Sequence, residues 1–198
     1  MKNVKKLAAV AMALTMAFNL VGCAGGGKLG ESKLKSAAKK FGAEQIKDVD
    51  DFEDLEEDDF EDGVYITASG DDLKEFLERI DSCYYDKSIN TATFFVYLDS
   101  SGDLIIIDYT FSSKKDAEAF FDGIRDEFED LSSVLYADHD DGEENGINYC
   151  IMHDSFYEIS GGAYQSDNNV LVVYALDDFD DEIEDVLGVY DVILPEDA

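Results

Sequence analysis

Two neighbouring segments, Thr93–Leu98 and Leu104–Phe111, carry apolar side chains on both faces of an extended chain; in the first, Phe94, Val96 and Leu98 alternate with Phe95 and Tyr97. A strand with one wet face alternates apolar and polar residues, whereas one covered on both faces does not. The chain must therefore fold around a sheet with a layer on each side. The link Asp99 to Asp103 is short and contains Gly102, which predicts a hairpin. Hydrophobic residues make up 45% of the 198 residues and aromatics 12%, enough to build such a core and too many for a disordered acidic chain.

Helical stripes supply the covering layers. Val64–Ala68 reads as a strand, with Ser69 and Asp71 as capping candidates before the stripe Leu73, Phe76, Leu77, Ile80. Ser113 can cap a helix with the stripe Ala117, Phe120, Phe121, Ile124, Phe128, Leu131. A loop is expected over Asp138–Gly146, then strands near Ile147–His153, Phe156–Ser160 and Val170–Leu176. Asp177 or Asp178 opens a last helix bearing Phe179, Ile183, Val186, Leu187 and Tyr190, and the apolar end Val192–Pro195 docks on the body. The second face of the sheet is expected to be covered by an N-terminal helix (Leu34, Ala37, Ala38, Phe41, with Gly42 as its C-cap) and by the Phe52, Leu55, Phe60 segment. Three strand–helix units share a spacing: Tyr65 to Phe76/Leu77, Tyr109 to Phe120/Phe121, and Tyr174 to Val186/Leu187. That spacing fits ordinary strand–helix connections better than an internal repeat, since identities are few. The order βαββαβ over residues 63–153 resembles the ferredoxin-like split βαβ arrangement. The expected fold is a single α+β domain, mainly antiparallel, with two further strands and a C-terminal helix.

Charge is segregated along the chain. The net charge is −32, yet residues 28–47 hold six lysines and two acids, residues 48–62 hold eleven acids and no base, and residues 126–198 hold 22 acids and no Lys or Arg. Such a surface repels phosphate and excludes a general nucleic-acid binder. The basic helix is expected either to rest on anionic lipid headgroups, where a lysine is worth about 1 kcal/mol, or to be a solvated face paired with the acidic run that follows.

The start of the chain reads as an address. Met1–Lys6 is basic, Leu7–Phe18 is apolar but for Thr15, and Gly22 precedes Cys23. This is a secretory signal, too short and wrongly flanked for a permanent spanning helix. Leu20-Val21-Gly22-Cys23 resembles the lipobox of bacterial lipoproteins. The resemblance covers about the first tenth of the chain and implies diacylglycerol on Cys23 with removal of the preceding peptide. By the same resemblance, Ala24 is not the Asp that retains lipoproteins at an inner membrane. The organisation expected is a signal peptide (1–22), a lipid anchor and flexible tether (23–31), a basic helix with an acidic segment (32–62) and the α+β domain (63–198). The location expected is the extracytoplasmic face of the cell membrane or envelope.

Catalytic patterns are scarce. His139 and His153 are the only histidines, and neither stands in an H-x-x-x-H or H-E-x-x-H spacing. No G-x-S-x-G elbow, G-x-G-x-x-G or Walker pattern is present. Three S-x-x-K matches (Ser32, Ser36, Ser112) fall in lysine-rich helical or capping segments. Cys83 and Cys150 remain once Cys23 is lipidated; an exported even pair invites a disulfide, two small buried side chains being the other reading. The acidic runs are the candidate metal sites, with Asp138, Asp140, Asp141 and Glu143 as possible ligands for a hard cation such as Ca²⁺, although Gly142 does not meet the EF-hand spacing. Tyr84, Tyr85, Tyr149, Tyr157 and Tyr164 are candidates for stacking on a sugar or peptide.

No cofactor is expected. The leading expectation is a non-enzymatic, membrane-anchored binding module whose partner is a protein or ligand at the envelope. Capture of cations or cationic peptides by the acidic surface is the alternative, and an envelope hydrolase the second. Self-repulsion in so acidic a body predicts that its melting temperature rises between low and moderate salt. An unchanged melting temperature would contradict that.

Overall fold

The computed structural model describes residues 28–81, 88–98, 102–176 and 180–198. The signal-like segment, Cys23, Cys83, Tyr84, Tyr85 and the helix start at Asp177–Phe179 lie outside the described residues. The strands are β1 (Glu44–Gln45), β2 (Val64–Ser69), β3 (Ile89–Leu98), β4 (Asp103–Phe111), β5 (Asp138–Glu144), β6 (Ile147–Asp154), β7 (Ile159–Ser166) and β8 (Asn169–Leu176). The helices are α1 (Glu31–Phe41), α2 (Val49–Glu53), α3 (Gly70–Asp81), α4 (Lys114–Leu135) and α5 (Asp180–Leu187), with 3-10 turns at Glu57–Phe60 and Pro195–Asp197. The strands form one sheet in the order β1-β2-β3-β4-β8-β7-β6-β5. Only the short β1–β2 pair is parallel.

The doubly apolar strands lie at the centre, as their pattern requires. From β3 and β4, Phe94, Val96, Ile105, Ile107, Tyr109 and Phe111 face one layer, and Phe95, Leu104 and Ile106 face the other. The first layer consists of α3 (Leu73, Phe76, Leu77) and α4 (Ala117, Phe120, Phe121, Ile124, Phe128). The second consists of α1 (Leu34, Ala37, Ala38), α5 (Ile183, Val186, Leu187), Tyr190 and the C-terminal segment. That segment docks through Val192, Ile193 and Leu194, and Tyr164 donates its hydroxyl proton to the Ile193 carbonyl at 2.7 Å. Helix α1 stops at Gly42, whose φ of 111° is the left-handed cap that glycine adopts without a Cβ clash.

The second face is thus covered by α1 but not by the Phe52, Leu55, Phe60 segment. Those residues pack on the α3–α4 face, Phe52 edge-on to Phe76 at 5.2 Å. The strand–helix spacing also divides: Phe76/Leu77 and Phe120/Phe121 share one face, while Val186/Leu187 lie on the other.

The ferredoxin-like order over 63–153 is not the order observed. A split βαβ unit keeps its two strands parallel with a third between them. Here β2 and β3 pair directly and antiparallel, with Ser69 opposite Thr91. Gly70, at φ 58°, turns the chain from β2 straight into α3, and β3 begins at the end of the sheet where β2 stopped. The loop expected over Asp138–Gly146 is the edge strand β5 plus a tight turn at Asn145–Gly146. An edge strand pairs on one side only and can send carboxylates to solvent on both faces, so charge did not prevent it. The strand expected over Phe156–Ser160 begins instead at Ile159. Asp154 Oδ1 accepts the N–H groups of Phe156 and Tyr157, both at 2.8 Å, and holds them in a turn.

Helix α1 is therefore a structural member of the core. Leu34 is fully buried, and Leu34→Ala should cost about 2–5 kcal/mol in urea-monitored unfolding. A loss below about 0.5 kcal/mol, the size of an ordinary surface change, would contradict this placement.

Candidate functional site

A polar residue interrupts the second face where the pattern of β4 calls for another aliphatic side chain. Asp108 follows Leu104 and Ile106 on that face and is 1% exposed. Its Oδ2 accepts the N–H of Gly30 at 2.8 Å, and its Oδ1 accepts a proton of the Asn169 amide at 3.3 Å. Asn169 Nδ2 also donates to Thr110 Oγ1 at 2.8 Å. Gly30 is the N-cap of α1 and has no side chain of its own to cap it. Asp108 thus supplies, from 78 residues away, an acceptor and a negative charge at the helix N-terminus. Gly30 suits the contact: its φ is 132°, and a Cβ there would lie 3.5 Å from Asn169 Nδ2.

Burial pushes the Asp108 carboxyl up to about 7; the Gly30 and Asn169 hydrogen bonds and Lys33 pull against it, and Glu31 adds to it. The Tyr190 hydroxyl, buried without a hydrogen-bond partner among the described residues, is also raised, first by burial and then by Asp108. Next to this cluster Leu29 is 4% exposed, and Lys28 lies against the β5–β6 turn, its Nζ 3.0 Å from where a Gly146 Cβ would project. The first described residues are thus docked at one end of the sheet.

The opposite end exposes large apolar and aromatic side chains. Val134 is 74% exposed, Tyr136 94%, Phe156 83% and Tyr157 58%. The registers Asp138↔His153, Asp154↔Ile159 and Ile159↔Leu176 bring the C-terminus of α4, the β6–β7 turn and the end of β8 to this one edge. The Phe156 and Tyr157 rings meet edge to face with centroids 4.8 Å apart. The two ends are separated by the length of β6, about 23 Å at 3.3 Å per residue.

The acidic candidates do not converge. Strand alternation places Asp138 and Asp140 on one face of β5, and Asp141 and Glu143 on the other. Asp140 instead accepts the Tyr149 hydroxyl at 2.9 Å, which raises that phenol. Among the described residues, no group of three or more His, Cys, Asp and Glu is arranged to hold a metal ion. An open cleft of about 340 Å³ is lined by Phe41, Gly42, Glu44, Asp58, Asp59, Asp62 and Gly63.

The histidines separate. His153 Nδ1 is 3.0 Å from Ser160 Oγ, and Asp138 stands opposite His153 across the β5–β6 pair. Ser160 is only 3% exposed, so this row lacks an accessible nucleophile. His139 Nε2 is buried without a hydrogen-bond partner among the described residues. Cys150 is a buried thiol, free among the described residues, that burial pushes up to about 12, favouring its protonated form. Its expected partner Cys83 lies outside the described residues. Of the stacking candidates, Tyr164 is buried and Tyr157 is exposed.

Asp108, Tyr136 and Phe156 were not singled out by the sequence patterns. The only signal for Asp108 was a single carboxylate inside the apolar run Leu104–Phe111. No protein-family model, curated protein or solved structure matches the chain.

The Asp108 pocket predicts a pH effect of definite sign. The folded-state pKa of about 7 lies above the ordinary 3.8, so between those values the folded chain holds a proton that the unfolded chain has lost. The neutral carboxyl contributes its full stability below about pH 4, and this is lost as pH rises toward 7, on the order of 4 kcal/mol in all. Asp108→Asn removes the titrating proton, so the stability difference between variant and native chain should shift in the variant's favour across that window. A pH-independent difference would contradict the assignment.

Proposed function

We propose that the chain is an exported lipoprotein, anchored through Cys23 at the extracytoplasmic face of the cell envelope, whose folded body is a non-enzymatic binding module. The observation that carries this reading is the opposition of the two ends of the sheet. Lys28 to Gly30, a few residues after the lipobox cysteine, dock at one end, and the exposed aromatic residues occupy the other. A body tethered in this way presents Tyr136, Phe156 and Tyr157 away from the bilayer, toward envelope partners.

The basic helix fits the tether side without entering lipid. Its apolar face is consumed by the sheet, and its lysines have partners on the surface of the body. Lys35 pairs with Glu31 and Lys40 with Asp185, while Lys33 and Lys39 stand over the rings of Tyr190 and Tyr65. Among the described residues no helix is long and apolar enough to cross a membrane, so on this reading attachment falls to lipid on Cys23. Two or three acyl chains hold a protein stably where one is marginal.

Two measurements test the reading together. Cys23→Ala should move the protein from the membrane to the soluble fraction. With the lipidated protein in vesicles and Cys83 replaced by Ser, energy transfer to a headgroup acceptor should be stronger from a label at Glu144→Cys than from one at Ser155→Cys. Retention of Cys23→Ala in membranes would overturn the anchor, and equal or reversed transfer would overturn the orientation.

A further inference from the structure

The outward end combines two properties that select a partner by chemistry. The first is a set of exposed aromatic rings carried on a hydrogen-bonded backbone. Asp154, 5% exposed, accepts the backbone N–H groups of both Phe156 and Tyr157, so the turn that displays them is built rather than loose. Tyr136, at φ 61°, closes α4 with its N–H on the Ser132 carbonyl and is left almost fully exposed. Rigid aromatic side chains with few torsions make contact at a low entropic cost.

The second property is charge of one sign. All of these side chains belong to the stretch after Arg125, which contains no Lys or Arg. Exposed Asp130, Asp138 and Glu158 belong to the same elements. An anionic bilayer is repelled by such a surface. A second copy docking through the same end would bring like charges together. Aromatic faces attract cations through the ring quadrupole, and neighbouring carboxylates add ordinary Coulomb attraction.

We infer that the end of the sheet formed by Tyr136, Phe156 and Tyr157 is a docking surface for a basic polypeptide segment, its Arg or Lys side chains laid over these rings with their charges toward the surrounding carboxylates. This deepens the binding-module reading and rests on it. The recognition differs from general capture by an acidic surface because it depends on the rings and persists at physiological salt.

The test uses the full lipidated chain in neutral detergent micelles and a fluorescein-labelled octapeptide alternating Arg and Leu, read by anisotropy at physiological salt. The paired change Phe156→Ser/Tyr157→Ser should weaken binding about ten-fold, and Tyr136→Ser should weaken it in the same direction. Asp58→Asn/Asp59→Asn, which removes two charges from the cleft beside α1, should change it less than about two-fold. Circular dichroism of each variant confirms the fold. Equal weakening by both sets, or binding that vanishes at physiological salt, would reduce the interaction to bulk charge and overturn the inference. Unaltered binding by the ring variants would overturn it too. A native chain that sediments as a dimer, with ring variants that sediment as monomers, would assign the surface to a second copy instead. None of these outcomes depends on how the body hangs from the bilayer, so failure here leaves the anchoring and its orientation to be judged by the transfer measurement.

Discussion

One buried carboxylate joins the start of α1 to the centre of the sheet. Asp108 lies in a central strand among aliphatic neighbours, a position where an unpaired charge costs several kcal/mol. It is tolerated because Gly30 and Asn169 hydrogen-bond to it and because its pKa rises to about 7, so that neutralisation is within reach at ordinary pH. In exchange α1 gains an N-terminal acceptor that its own sequence lacks, Gly30 standing where Ser, Thr, Asp or Asn would serve. The start of α1 is set by this contact, which places Gly30 at one end of the sheet.

The rest of the architecture follows from covering both faces of β3 and β4. The short α1 and α5 cover one side, joined by Lys40–Asp185 and by Lys33 over Tyr190. The longer α4 and α3 cover the other. Because α1 is fully used in this way, the only basic stretch of the described chain is held against the body. The stretch after Arg125 is left without Lys or Arg. The charge segregation visible along the sequence is carried into the fold: the lysines cluster on α1, and the elements after Arg125 expose carboxylates without a Lys or Arg among them.

Local patterns carried much of the fold. The doubly apolar strands, the stripes of α3, α4 and α5, the Gly42 cap and the docking of Val192–Leu194 all depend on period or on a single special residue, and these can be read from neighbours in sequence. Strand order cannot be read in this way, because β4 pairs with β8 and α1 meets Asp108 across long stretches of chain. Asp138–Glu144 looked like a loop because five of its seven residues are acids, yet an edge strand needs backbone pairing with β6 more than favourable side chains. Phe156 looked like part of a strand because exposure leaves no trace in hydropathy; the Asp154 side chain withdraws it from the ladder. The four acidic metal candidates failed to meet for an equally simple reason, since neighbours in a strand point to opposite faces.

The central claim is that Gly30 is held to Asp108 in the folded protein. Hydrogen exchange of the Gly30 amide tests this most directly. The account predicts protection comparable to that of the amides of β4 and β8, because opening this contact requires lifting α1 from the core. Exchange as fast as in an unstructured chain would contradict it, and with it the fixed geometry that separates the Gly30 end of the sheet from the aromatic end.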